Sequence, residues 1–142
     1  MSIWKIPVTV ELLNHRKHAD MSTFLGIEFT EVGEDFISAR MPVDERTRQP
    51  FGILHGGAHV VLAETLGSVG ANLCLDPADA YAVGLDINSN HLKSIREGYV
   101  YGTARPIHIG TNTHVWEIKI ADEKGTLLNI SRLTMFVVRR GK

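Results

Sequence analysis

GAHVVLAETLGSVGANL, residues 57–73, decides the fold. The segment contains no proline, and Glu64 is its only acid or base other than His59. At about 100° per residue, Leu62, Leu66, Val69 and Leu73 form one stripe, while Gly57, Glu64, Ser68 and Ala71 gather on the opposite side. The spacing therefore predicts one long helix, too apolar to lie on a surface, whose second face is small and carries a carboxylate. Upstream, DERTRQPFGILHG at 44–56 is broken by charges, Pro50, Gly52 and Gly56 and reads as a loop. Before it, Phe24–Thr30 and Phe36–Val43 read as a hairpin around EVGED, and residues 9–19 as a short surface helix behind Pro7 and Thr9. After the DPADA turn come four strand-like stretches, at about 80–94, 99–108, 113–121 and 127–139, the last two separated by DEKG. The pattern β-β-loop-helix-β-β-β-β is that of an α+β fold in which an antiparallel sheet curls around one helix.

Composition narrows the functional classes. With 142 residues, 44% hydrophobic and 22% charged, the chain is expected to form one soluble globular domain over 1–142. Fifteen Lys and Arg against sixteen Asp and Glu leave a formal charge of -1, which gives no global attraction to nucleic acid or anionic membrane. No apolar run approaches the roughly 18 residues of a membrane span, and the N-terminus lacks a secretory pattern. The lone Cys74, within an apolar run, reads as an unreactive core thiol in a reducing, cytoplasmic setting.

Glu64 is the chemical focus. A carboxylate among apolar and small residues is costly to ionise unless paired, although a solvent-facing helix position would explain it equally well. Ser68 lies one turn further on the same face, within reach of a shared ligand. At the other end, Gly56 and Gly57 stand where the helix begins, with free backbone N–H groups at the positive end of its dipole. Such donors suit a carbonyl oxygen gaining charge, as in an oxyanion hole, although an ordinary Gly-rich turn would look the same. Eight residues separate Gly56 from Glu64, about 12 Å along a helix, so the two cannot reach one carbonyl group. If both act on one substrate, Gly56 of one chain meets Glu64 of another, and the enzyme is an obligate dimer.

Other chemistries fit poorly. His55 and His59 have metal-helix spacing, but both point well away from Glu64, and a single Cys excludes a Cys-rich site; no metal is expected. There is no G-x-S-x-G elbow, P-loop or G-x-G-x-x-G turn.

QPFGILHGG at 49–57 followed by Glu64 and Ser68, together with GLDINSNHLKSIREG at 84–98, PIHIGTNTHVW at 106–116 and SRLTM at 131–135, resembles the hotdog-fold acyl-CoA thioesterases of the PaaI-like and 4-hydroxybenzoyl-CoA thioesterase superfamily. Within it, the sequence is most similar to the bacterial subgroup of menaquinone- and enterobactin-synthesis thioesterases. The resemblance spans nearly the whole chain. It implies a hotdog fold, a homotetramer built as a dimer of dimers with interfacial sites, and hydrolysis of an acyl-CoA, aromatic by analogy with the subgroup. No cofactor is implied, since CoA is part of the substrate. Glu64 would be nucleophile or general base. Gly56 would offer its N–H to the thioester oxygen, Gln49 and His55 would orient the reacting groups, and Ser68 would position water or substrate. Gly84, His91, Leu92, Lys93 and Ser94, with His108, Ile109, Gly110, Thr111, Asn112 and Thr113, match segments lining substrate and CoA. Hotdog hydratases and non-enzymatic acyl-CoA sensors are the competing classes. The former carry different His motifs, and the latter usually carry a DNA-binding extension for which about 20 residues before the sheet leave no room.

Overall fold

Six strands and one long helix carry the architecture of the computed structural model, which describes residues 1–15 and 18–141. The strands are β1 (Glu28–Val32), β2 (Ile37–Pro42), β3 (Ala80–His91), β4 (Tyr99–Ile109), β5 (Thr113–Ala121) and β6 (Leu127–Arg139). They form a single sheet in the order β1-β2-β4-β5-β6-β3, with every neighbouring pair antiparallel. Helix α3 (Gly56–Leu73) packs on its inner face, in one core with Trp116, Ile118 and Ile120 of β5 and Leu133 and Met135 of β6, among others. This is the α+β hotdog arrangement expected from the sequence.

The apolar stripe of α3 explains the packing, though it is wider than the sequence suggested. Leu62, Leu66 and Leu73 are buried and Val69 is half-buried, while Ala58, Ala63, Gly67 and Gly70 extend the buried arc. Ala71, expected beside Glu64 on the open side, is fully buried, because the curled sheet wraps more than half of the helix. Close approach depends on the small residues: a Cβ at Gly70 would lie 2.8 Å from the Trp116 ring. The N-terminal segment closes the far end of the helix. Lys5 donates its backbone N–H to the Leu73 carbonyl, and Trp4 stacks on Trp116 with ring centroids 6.3 Å apart.

Three boundaries differ from expectation. The helix expected over 9–19 is short, α1 (Val10–Asn14), capped by Thr9; Arg16 and Lys17 within that range lie outside the described residues. A second short helix, α2 (Met21–Phe24), is capped by Asp20, whose carboxylate accepts from the Thr23 N–H, so Phe24 is helical and the first strand begins only at Glu28. Asn14 then pairs with both backbone groups of Phe29, at 2.8 Å each, covering part of the β1 edge. Finally, β3 ends at His91 rather than Ser94, where the Leu92 and Lys93 N–H groups both turn to the Leu128 carbonyl.

Candidate active site

The N-terminus of α3 is built by the loop before it. Buried Thr47 fixes that loop: its hydroxyl donates to the Pro42 carbonyl, and its own carbonyl accepts from the His55 N–H. His55 is the N-cap, and its Nδ1 accepts from the Gly57 N–H at 2.8 Å. Gly57 is therefore not a free donor, as the sequence had suggested, whereas the Gly56 N–H has no acceptor among the described residues. A donor at the positive end of an 18-residue helix is a ready anchor for an oxygen gaining negative charge. Gln49 lies just before; its side-chain oxygen accepts from the Phe51 N–H within its own turn.

A cavity of about 320 Å³ opens here, lined in part by Gln49, Gly56, His91, Leu92, Lys93 and Ser94. His91 is close enough that a Cβ at Gly56 would lie 2.8 Å from its Nε2, so any larger residue there must displace the His91 ring. His59, on the next turn of α3, forms another wall, its ring centroid 5.8 Å from that of His91. Burial, aided by the neighbouring His91, pushes the His59 pKa down to about 4, so its ring is neutral near pH 7.

Behind His91 stands a polar cluster that the sequence reading missed. The inward positions of β6 are Asn129, Ser131, Leu133, Met135 and Val137, all buried. They turn polar only where β3 brings its last residues alongside, pairing His91 with Asn129 and Ser89 with Ser131. The Asn129 amide nitrogen donates to Ser89 Oγ at 2.8 Å and lies 3.0 Å from His91 Nδ1. Its oxygen accepts from Ser131 Oγ at 2.9 Å. The available signal was the interruption of an apolar period-2 run by Asn129 and Ser131. Its meaning depended on strand register, which no local pattern displays.

Glu64 occupies a different place. It faces outward from α3, exposed in the protomer, in a cavity of about 390 Å³ shared with Ser68, Thr65, Val60, Val61 and Met21. The carboxylate rests over Gly84 of β3, where a Cβ would lie 2.8 Å from Oε2. Of the two readings of this carboxylate, the solvent-facing one describes this chain, and what distinguishes Glu64 is an open, partly apolar setting. The segment from His108 to Thr113 lines neither cavity; it forms the β4–β5 turn, with Thr113 beside Phe136, itself opposite Val83 next to Gly84. The Gly56 donor end and the Glu64 carboxylate therefore line two separate cavities.

Among the described residues, no three His, Cys, Asp or Glu side chains gather as a metal-binding group. No helix of the described chain is long and apolar enough to cross a membrane. Cys74 is buried, and burial pushes its thiol up to about 11.

Residues 51–129 match the family model described as the thioesterase superfamily. The chain belongs to this superfamily. This thioesterase is 51% identical over 136 residues to the 1,4-dihydroxy-2-naphthoyl-CoA hydrolase of Escherichia coli, an alignment covering 96% of this chain and 99% of that one. It is 43% identical to the proofreading thioesterase EntH of Cronobacter turicensis, covering 96% and 98%. The solved structure of a thioesterase from Haemophilus influenzae superposes with a TM-score of 0.93 at 49% identity, covering 96% of this chain and 95% of that one. This thioesterase is accordingly a thioester hydrolase of the hotdog fold.

Proposed function

We propose that the protein hydrolyses an aromatic acyl-CoA to the free acid and CoA, with Glu64 as the nucleophile and the Gly56 N–H polarising the thioester carbonyl. The observation that carries this reading is the pairing of an uncommitted backbone donor at the α3 N-terminus with an outward-facing carboxylate two turns along the same helix. The aromatic acyl group rests on similarity to the 1,4-dihydroxy-2-naphthoyl-CoA hydrolase. Because about 12 Å of helix separates the two groups, the reaction uses Gly56 of one protomer and Glu64 of its partner. The assembly is a homodimer carrying two such sites, paired into a tetramer.

In the first step a Glu64 oxygen adds to the thioester carbon while the carbonyl oxygen, gaining charge, is held by Gly56 N–H and the dipole of α3. The C–S bond breaks, CoA leaves as a thiolate that takes a proton from solvent, and a mixed anhydride remains on Glu64. Water then attacks the Glu64 carboxyl carbon, releasing the acid and restoring the carboxylate. Ser68, one turn from Glu64 in the same cavity, positions that water. Gln49 and His55 orient the carbonyl end, and Lys93, exposed at the mouth of the donor cavity, meets CoA phosphate. The route needs no metal or cofactor.

The test is thiol release from a panel of aromatic and fatty acyl-CoA esters by wild type and Glu64→Ala, with folding and assembly of the variant verified. Loss of activity by about 10³-fold or more is expected. Undiminished turnover in the variant refutes the assignment. Turnover in oxygen-18 water, followed by mass analysis of the peptide containing Glu64, tests the route: label in Glu64 marks an anhydride opened at the Glu64 carbon, and an unlabelled Glu64 after many turnovers favours a general base. Sedimentation at assay concentration checks the two-chain site, which a fully active monomer would overturn.

A further inference from the structure

We propose that Asn129 is a positioning residue for the reaction, holding Nδ1 of His91 so that the ring presents Nε2–H to the carbonyl-binding end of α3. The inference rests on the hydrolytic reading for its catalytic consequence, but the orientation of His91 is a property of the unliganded protein.

With the Asn129 amide nitrogen 3.0 Å from Nδ1, the amide donates and Nδ1 accepts, which leaves the proton of a neutral imidazole on Nε2. That nitrogen faces Gly56, where a Cβ would lie only 2.8 Å away, beside the free Gly56 N–H. A second N–H thus joins the first at the place where a carbonyl oxygen would gain charge. Both ends of the Asn129 amide are held in place, its nitrogen 2.8 Å from Ser89 Oγ and its oxygen 2.9 Å from Ser131 Oγ, and the two hydroxyls lie 2.8 Å from each other. The ring is confined on another side by His59 of α3, tilted 35° to it.

Asn129 and Ser131 are 0% and 2% exposed, at inward positions whose successors on β6 are Leu133, Met135 and Val137. Exchanging a whole buried polar cluster for apolar residues of similar size is often neutral or stabilising, so packing alone gives no reason for an amide here. The one member of the cluster that reaches the cavity is His91.

The experiment compares wild type with Asn129→Leu by imidazole nitrogen-15 NMR without substrate, by thermal unfolding and by steady-state kinetics. We expect wild-type His91 as a single Nε2–H tautomer and the variant as a mixture. The variant should melt modestly lower than wild type, because Ser89, Ser131 and His91 each lose a partner, and kcat should fall about tenfold or more with KM little changed. An unchanged His91 spectrum in the variant, or a changed spectrum with unchanged kcat, overturns the proposal. If wild type releases no thiol, the hydrolytic reading fails separately, and the spectrum alone still decides whether Asn129 orients His91. Should Asn129→Leu not fold, Ser131→Ala, which removes the donor to the Asn129 oxygen, must show the same spectral change in weaker form. A wild-type spectrum there refutes the inference.

Discussion

Gly84→Ala isolates the position of the Glu64 carboxylate from everything else in the fold. The new Cβ would lie 2.8 Å from Glu64 Oε2 and 3.5 Å from its Cδ. Ordinary contact begins near 3.4 Å, so the carboxylate must retreat by about 0.6 Å. The obstacle is the far end of an exposed, flexible side chain, and Gly84 does not have a positive φ, so the backbone accepts alanine without strain. Stability should be unchanged or higher by about 0.5 kcal/mol through the smaller entropy of the unfolded chain. Activity should not be spared. A displacement of 1 Å costs about 10²-fold when reacting groups must meet in one geometry, so 0.6 Å should lower kcat about tenfold. The assay is thiol release alongside thermal unfolding of the same sample. Gly70→Ala is the contrasting control, because its Cβ would meet the buried Trp116 ring at 2.8 Å; it should cost about 1–3 kcal/mol of stability. Wild-type kcat in Gly84→Ala would show that the carboxylate does not react from its seat over Gly84, and a large drop in melting temperature would show that Gly84 serves packing instead.

Further tests address the supporting groups. His55→Ala removes the cap on the Gly57 N–H and should cost about 1 kcal/mol, read by denaturant unfolding. Acidification should destabilise through His59: its folded pKa of about 4 lies below the ordinary 6.5, so the unfolded chain binds the proton first, and stability present above pH 6.5 is lost as pH falls toward 4. The loss is about 3 kcal/mol at most, and His59→Phe should flatten the melting-temperature profile over that window. The buried Cys74 thiol should resist a thiol reagent at pH 8 and react fully in denaturant; rapid native labelling would contradict its burial. Prolonged dialysis against a chelator should leave turnover unchanged, and a loss restored by added divalent ion would require a different mechanism.

The long helix and the six strands were legible because each carries its own period: 3.6 for Leu62, Leu66, Val69 and Leu73, and 2 for the inward residues of β6. Glu64 was legible as a chemical oddity. Whether it was buried or solvent-facing stayed open, because the width of the buried arc depends on how far the sheet curls, which is a property of the whole core. The α2 turn escaped notice because four residues are too few to show a period, and Asp20 was the only local clue. The Asn129 cluster needed the β3–β6 register, which joins residues 38 or more positions apart.

The strand order has a consequence for synthesis. Strand β3 carries Gly84 and His91, yet among the described residues its sole neighbour in the sheet is β6, which follows it by more than 30 residues. On the ribosome β3 emerges well before β6, with its backbone N–H and C=O groups lacking a strand to pair with. Until the 13-residue β6 is released, His91 has no amide behind it. A nascent chain stalled just short of β6 therefore presents an unpaired strand edge to the cell, and the setting of His91 is completed after the helix and β3 have been made.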